Sequence, residues 1–239
     1  MDPKINSGKG APNEQNISER RDVFFAPELL AREYIQETGT PRGRLLIAGC
    51  RSGSYLSSSV VACYRNFLRE ASSDANVLYL DNIDDQFSDS ETHVRLDLYV
   101  SGYDVFLFQA LFNPRVSQSV DQNYMAFLIA ARAFREHGAN HVTAVLPYLA
   151  YARQDKPTMF MREPTTASLM ADLAVEAGID RLITWHPHSR QIHGFYGGIP
   201  LDVLTPLTLF IEAYQRFQGR DDVIVVAPDV GASKFVTYM

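Results

Sequence analysis

Cysteine is scarce: Cys50 and Cys63 are the only two in 239 residues, and neither sits in a CxxC pair or a Cys/His ligand pattern. That scarcity argues against a disulfide framework and a thiolate metal site, and it makes a reducing cytoplasm the expected compartment. Both thiols are expected to be small buried apolar groups. Long apolar runs are missing as well. No stretch approaches the ~20 apolar residues of a bilayer span, and the opening "MDPKINSGKGAPNEQNISERRD" has no apolar centre of the kind a secretory signal needs. A membrane is therefore not expected as a partner. Positive charge is in deficit, with 22 Lys and Arg against 28 Asp and Glu and a net charge of -6. This balance removes the electrostatic reason to expect nucleic acid. Walker, GxGxxG, GxSxG and HExxH motifs are all absent, so the common phosphate, dinucleotide, hydrolase and zinc-protease chemistries have no support. A small molecule or a protein remains as partner.

What is present is enough apolar material, 46% of the chain, for one good core and part of a second. The stretches "EHGANHVTAVLPYL", "EAGIDRLITWHPH" and "FQGRDDVIVVAPDVG" share one grammar: a helix end, a glycine, a few polar residues, then a β-branched strand. Gly138, Gly178 and Gly219 suit the left-handed position that ends a helix, and their spacing of 40 and 41 residues fits successive βα units. The preceding helices have their own markers. Ser119 and Gln122 form a capping pair ahead of Tyr124, Phe127, Leu128, Ala131 and Phe134. Pro164 opens a helix with Leu169, Met170, Leu173 and Ala174 along one side, and Thr205 and Pro206 precede Leu207, Phe210, Ile211 and Tyr214. "VLYLD", "VFLFQ", "VTAVLPYL", "LITW" and "VIVVAP" lack polar alternation, as parallel strands covered on both faces do. "THVRLDL" alternates, as a half-exposed strand or hairpin arm does.

The expected fold is an α/β three-layer sandwich with a mainly parallel sheet, in which ligands bind beyond the carboxyl ends of the strands. Those ends lead into "AYARQDK", "HPHSRQIHG" and "PDVGASK", so Arg153, Gln154, Asp155, His186, His188 and Asp229 are expected on one rim. In an extended segment His186 and His188 would face the same side and could hold a cation. A solvated or structural role fits equally, because the third ligand of a zinc site is missing. His193, beside Phe195 and Tyr196, is expected to pack. Asp229 could hold Mg²⁺ or cap a helix. Arg153 offers a planar fork to phosphate, Gln154 can meet a base edge or ribose, and Asp155 can orient either; a solvated turn is the alternative.

The segments "AVLPYLAYARQDK", "REPTTASLMADLAVEAGIDRLIT", "HSRQIHGFYGGIPLD" and "VVAPDVG", with "QFSDSE" upstream, occur in the order and spacing of one family. From about residue 44 to 239 the chain resembles ribose-phosphate pyrophosphokinase. The resemblance implies a phosphoribosyltransferase-like domain over 42–202 and an incomplete second domain over 203–239; the tail over 1–41, whose opening is polar and rich in Gly, Pro, Asn and Ser, is expected to be mobile from its composition. It implies transfer of diphosphate from ATP to the 1-hydroxyl of ribose 5-phosphate, with Mg²⁺ required and a homo-oligomer as the working form. Phe87, Asp89 and Glu91 would reach the adenine of ATP bound mainly to a neighbouring subunit. Arg153, Gln154 and Asp155 would contact ATP, His188 would serve catalysis and the metal, and Asp229 the metal, with His186 as a further ligand.

Three positions depart from that pattern: Ser90 and Ala232 stand where the family has Gly, and His186 where it has Asp. Imidazole suits softer metals than Mg²⁺. The sequence also ends before the family's Lys/Arg loop and its ribose-phosphate loop, so the chain by itself is expected to bind ATP weakly and turn nothing over. A non-catalytic partner of a complete synthetase is the alternative, and a metal hydrolase using the HxH pair a weaker one.

Overall fold

The computed structural model describes residues 39–237. In chain order the elements are β1 (Gly39–Thr40), β2 (Gly43–Gly49), α1 (Ser54–Glu70), β3 (Leu78–Leu80), β4 (Asp84–Gln86), β5 (Thr92–Val94), β6 (Tyr103–Phe108), α2 (Val120–Glu136), β7 (His141–Leu146), α3 (Thr166–Ala177), β8 (Arg181–Trp185), α4 (Ile192–Phe195), β9 (Leu201–Leu204), α5 (Leu207–Gln215) and α6 (Ser233–Thr237). The expected tail over 1–41 lies outside the described residues except for its last three, where Gly39 and Thr40 pair with β2.

Strands without polar alternation must be covered twice, and the sheet shows how. β2, β6, β7, β8 and β9 lie side by side and parallel, β3 joins the outer edge of β2 in parallel, and β1 pairs there antiparallel. One face packs Leu46, Leu107, Ala144 and Leu182 against Phe127 and Phe134 of α2 and the alanines of α3. The other packs Leu45, Ile47, Phe108 and Val145 against Val61 of α1. The result is the expected three-layer, mainly parallel sandwich. Neither β2 nor α1 had been marked out by the sequence patterns, although together they build the second apolar layer.

The helix starting at Ser119 follows its sequence markers closely. Gln122 N donates to Ser119 Oγ at 3.2 Å and Ser119 N to Gln122 Oε1 at 2.9 Å, closing the capping box. Gly178 ends α3 at φ +104°, a conformation that glycine adopts without penalty, and a Cβ there would lie 2.3 Å from Arg135 Cγ. The buried side of α3 differs from expectation. Ala167, Ala171, Ala174 and Ala177 face the core, while Leu169 is 51% and Leu173 39% exposed. Small residues let α3 come close to α2, and Tyr124 Oη donates to Met170 O at 2.7 Å across the contact.

Four further expectations are corrected. "VIVVAP" forms no strand: residues 223–228 are irregular, with Ile224 83% and Val226 75% exposed. An apolar β-branched run becomes a strand only where a neighbour takes its backbone hydrogen bonds, and β9, at the edge of the sheet, does not pair with it. α5 forms, but buries none of its residues. Only Thr92–Val94 of "THVRLDL" is a strand, paired antiparallel to β4. Cys50 is buried, whereas Cys63 is exposed on α1.

Candidate functional site

Because β7 and β8 are parallel neighbours, the loops that follow them leave the sheet at the same end. Between these loops lies a cleft of about 600 Å³ lined by Arg153, Asp155, Lys156, Thr158 and Met159 from the first and His188, Ser189 and Gln191 from the second. That volume falls within the range of small-molecule sites, ~300–1,000 Å³. Asp155 is buried in the wall, and Arg153, Lys156 and His188 are exposed.

The first loop is held by its own backbone. Gln154 N donates to Tyr151 O at 2.9 Å, and Ala167 N to Gln154 O at 3.2 Å, tying the loop to the first turn of α3. The Tyr151 hydroxyl donates to Asp121 on α2, and that bond together with partial burial pushes its pKa up. Farther along, Thr158 N donates to Glu163 Oε2 at 2.9 Å and Met161 N to Thr158 O at 2.9 Å. The bonds from Thr158 hold the Glu163 carboxyl below its usual range. Non-glycine residues with positive φ occur in both loops: Tyr151 at +62°, Phe160 at +67° and His186 at +35°. A left-handed L-residue costs about 1–2 kcal/mol.

Of the expected rim, the structure brings Arg153, Asp155 and His188 into one cleft. Gln154 is exposed beside it and does not line it. His186 does not line it either: at φ +35° the backbone is not extended, so the alternation that would have aligned His186 with His188 does not apply. The carbonyl of Leu204, at the end of β9, accepts from His186 N at 3.1 Å. His193 is exposed, contrary to the packing role expected of it; the one-turn α4 buries Ile192, and Tyr196 follows it inward. Asp229 lies outside the lining, its Oδ1 accepting from Ala232 N at 2.8 Å in the turn that precedes α6.

Phe87, Asp89 and Glu91 form a separate group on the β4–β5 hairpin. Phe87 N donates to Glu91 O at 2.9 Å, Glu91 N to Asp89 Oδ1 at 3.1 Å, and the Phe87 ring lies 4.4 Å from that of His93. Ser90 sits at φ +74°, which explains the glycine expected there. A groove of about 460 Å³ runs between this hairpin and α2, lined by Ser90, Glu91, Asp121 and Met125 among others. Arg51, after β2, anchors the hairpin: its backbone N donates to Asp84 Oδ1 at 2.5 Å and its guanidinium pairs with Asp85, whose carboxyl is held below the usual range by that contact. Motif reading missed Lys156, Met159, Ser189 and Gln191 in the cleft, and Arg51 behind the hairpin. Lys156 and Ser189 lie within the quoted loop segments, and their place after a strand was the available signal.

Metal donors in the cleft are few. Among the described residues no three His, Cys, Asp or Glu side chains gather to hold an ion, so the HxH pair has no third ligand beside it. Asp155 and His188 are the cleft's carboxylate and imidazole. Mg²⁺ commonly takes one or two carboxylates and fills its shell with water and substrate phosphates, so this set suits a cation that arrives on a polyphosphate.

Residues 47–178 match the family model for the N-terminal domain of ribose phosphate pyrophosphokinase. The chain belongs to the ribose-phosphate pyrophosphokinase family. A family relative from Mycoplasma pneumoniae is 40% identical over 149 residues, covering 62% of this chain and 43% of the relative. One from Granulibacter bethesdensis is 38% identical over 186 residues, covering 77% and 54%. The crystal structure of phosphoribosylpyrophosphate synthetase from Mycobacterium smegmatis superposes with a TM-score of 0.64 at 31% identity, covering 80% of this chain and 58% of that one. The chain thus spans about half the length of the ribose-phosphate pyrophosphokinases it matches. The region matched to the family model contains the hairpin and the Arg153–Asp155 loop; His186, His188 and Asp229 lie beyond it.

Proposed function

We propose that the cleft binds the polyphosphate of Mg²⁺·ATP and that the chain contributes the nucleotide-binding part of a ribose-phosphate diphosphokinase. The observation that carries this reading is the meeting of Arg153, Lys156, His188 and buried Asp155 at the carboxyl ends of two adjacent parallel strands. In the reaction, the 1-hydroxyl oxygen of ribose 5-phosphate bonds to the β-phosphorus of ATP. The bond from that phosphorus to the α–β bridging oxygen breaks, AMP leaves with the electron pair, and the hydroxyl proton is lost. Such a displacement needs positioning and charge neutralisation more than a protein nucleophile. Arg153 supplies a planar fork and Lys156 a mobile point charge for phosphate oxygens. His188 donates to the group in transfer, and Asp155 orients the cations around it. Mg²⁺ adds charge neutralisation across the phosphates. His186 and Asp229, outside the cleft lining, are not assigned to it.

Phe87, Asp89 and Glu91 are proposed to serve the nucleotide of a second copy, since they share no cleft with Arg153 in their own chain. The test is calorimetric titration of Mg²⁺·ATP, with AMP release followed after adding ribose 5-phosphate. Binding is expected for the chain and at least a tenfold weaker affinity for Arg153→Ala, the size of a lost charge-assisted pair. No binding by the unaltered chain overturns the reading. A non-catalytic partner role draws support from His186, an imidazole at φ +35° where the family pattern has a carboxylate. Under that role the chain changes the turnover of a complete synthetase mixed with it.

A further inference from the structure

Each wall of the cleft is tied to a tyrosine, and both tyrosines reach α2. Tyr151 begins the turn that carries Arg153: its carbonyl accepts from Gln154 N at 2.9 Å, and its own φ is +62°. The Tyr151 ring lies 6.3 Å from that of Tyr124, edge to face at 82°, and its hydroxyl donates to Asp121. On the other wall Ser189 O accepts from Ile192 N at 3.4 Å and Gln191 O from Gly194 N at 2.8 Å, so a run of joined turns leads from the cleft to Tyr196. Tyr196 is 2% exposed, and its hydroxyl is hydrogen-bonded to that of Tyr124. The single proton of the Tyr124 hydroxyl goes to Met170 O at 2.7 Å, so Tyr196 is the donor between the two hydroxyls. Burial raises the pKa of both, which keeps these donors protonated.

Asp121 and Tyr124 stand three residues apart on α2 and therefore share a face. The helix is fixed at this end by the Ser119 capping box and buried along Tyr124, Phe127 and Phe134, so a rigid element receives both loops. Neither Asp121 nor Tyr124 lines the cleft. Two loops that grip one polyphosphate must keep their charged groups at a set separation, and a misplacement of about 1 Å from a distant change can cost on the order of 10²-fold. We propose that Asp121 and Tyr124 are positioning residues, a shared platform that holds Arg153 and His188 in register across the cleft. Asp121 acts through the Tyr151 hydroxyl on the first wall, and Tyr124 through the Tyr151 ring and the Tyr196 hydroxyl on both. This proposal rests on the nucleotide reading above and adds to it the residues that set its geometry.

The test measures the affinity of the full chain for Mg²⁺·tripolyphosphate by calorimetry, a probe that engages the phosphate-binding residues alone. Tyr151→Phe keeps the ring and loses the bond to Asp121, and Tyr196→Phe keeps the ring and loses the bond to Tyr124. Each is expected to weaken binding about threefold to tenfold, the size of one hydrogen bond. In an Arg153→Ala background Tyr151→Phe should have no further effect, and in a His188→Ala background Tyr196→Phe likewise, because a positioning residue is silent once the group it positions is gone. Asp121→Asn, which keeps an acceptor for the tyrosine hydroxyl, should stay near the unaltered affinity while Asp121→Ala falls. Losses that persist in full in both backgrounds overturn the proposal, since the tyrosines would then act on the fold in general. Unchanged affinity in both Phe variants, or equal loss in the two Asp121 variants, overturns it as well, and coupling at one wall only overturns the shared platform. Each of these results leaves the nucleotide reading intact. Failure of the unaltered chain to bind the probe sinks that reading and the proposal with it.

Discussion

Residues 43–204 and residues 205–237 obey the same sequence grammar and reach different ends. In the first region, apolar strands find parallel neighbours and helices close both faces, burying Leu46, Val105, Phe127, Phe134, Ala144 and Leu182 completely or nearly so. In the second, a helix with Leu209, Phe210 and Ile211 and an irregular run with Ile224 and Val226 leave those side chains in solvent. Local propensity is sufficient for α5. Burial requires partners, and a β-branched run without one does not become a strand.

The largest effect that separates the two regions should come from truncating their aromatic and aliphatic side chains. Phe134→Ala, in the α2 core, is expected to lower unfolding free energy by about 3–5 kcal/mol, whereas Leu209→Ala should change it by less than about 0.5 kcal/mol. Urea denaturation checks both, and equal losses would break the contrast. Next in size, limited trypsin digestion should cut at exposed Arg216 and Arg220 well before any site in the sheet, leaving a fragment that retains β2 to β9. Simultaneous loss of the whole chain would mean the second region is as firmly held as the first.

Smaller effects sharpen the picture inside the packed region. Ser90→Gly, by relieving φ +74° at the hairpin tip, is expected to raise stability by about 1 kcal/mol; thermal melting in parallel with the unaltered chain reads this. His141 lies 3.4 Å from Asp104 Oδ1 at the amino-terminal ends of β6 and β7. Its pKa is lowered chiefly by burial, with Arg42 also lowering it and the Asp180 and Asp104 carboxylates opposing. A depressed folded-state value means that the unfolded chain binds the proton more readily. Stability is therefore full above the ordinary histidine range, about 6.5, and declines as pH falls through it. Denaturation midpoints between pH 8 and 5 should show that slope, weakened in His141→Gln.

Much of this architecture was legible because parallel strands announce themselves by unbroken apolar runs and their helices by glycine stops. Gly138, Gly178 and Gly219 all take positive φ, and the Ser119 capping box closes as its spacing predicted. The α3 face was misread because its contact with α2 depends on closeness, which favours alanine over leucine. "VIVVAP" was misread because strand identity is settled by neighbours as much as by composition. In the cleft, Arg153, Asp155 and His188 could be found from their place after strands. His186 could not be placed, since one left-handed residue undoes the alternation rule, and Met159 was invisible because an apolar residue in a polar loop carries no motif.

Asp121 stands in two places at once, accepting the Tyr151 hydroxyl from the loop after β7 and forming part of the wall beneath Ser90 and Glu91. The carboxylate that fastens the loop after β7 is thus also part of the wall of the groove beside the hairpin, so a single residue at the start of α2 serves both surroundings.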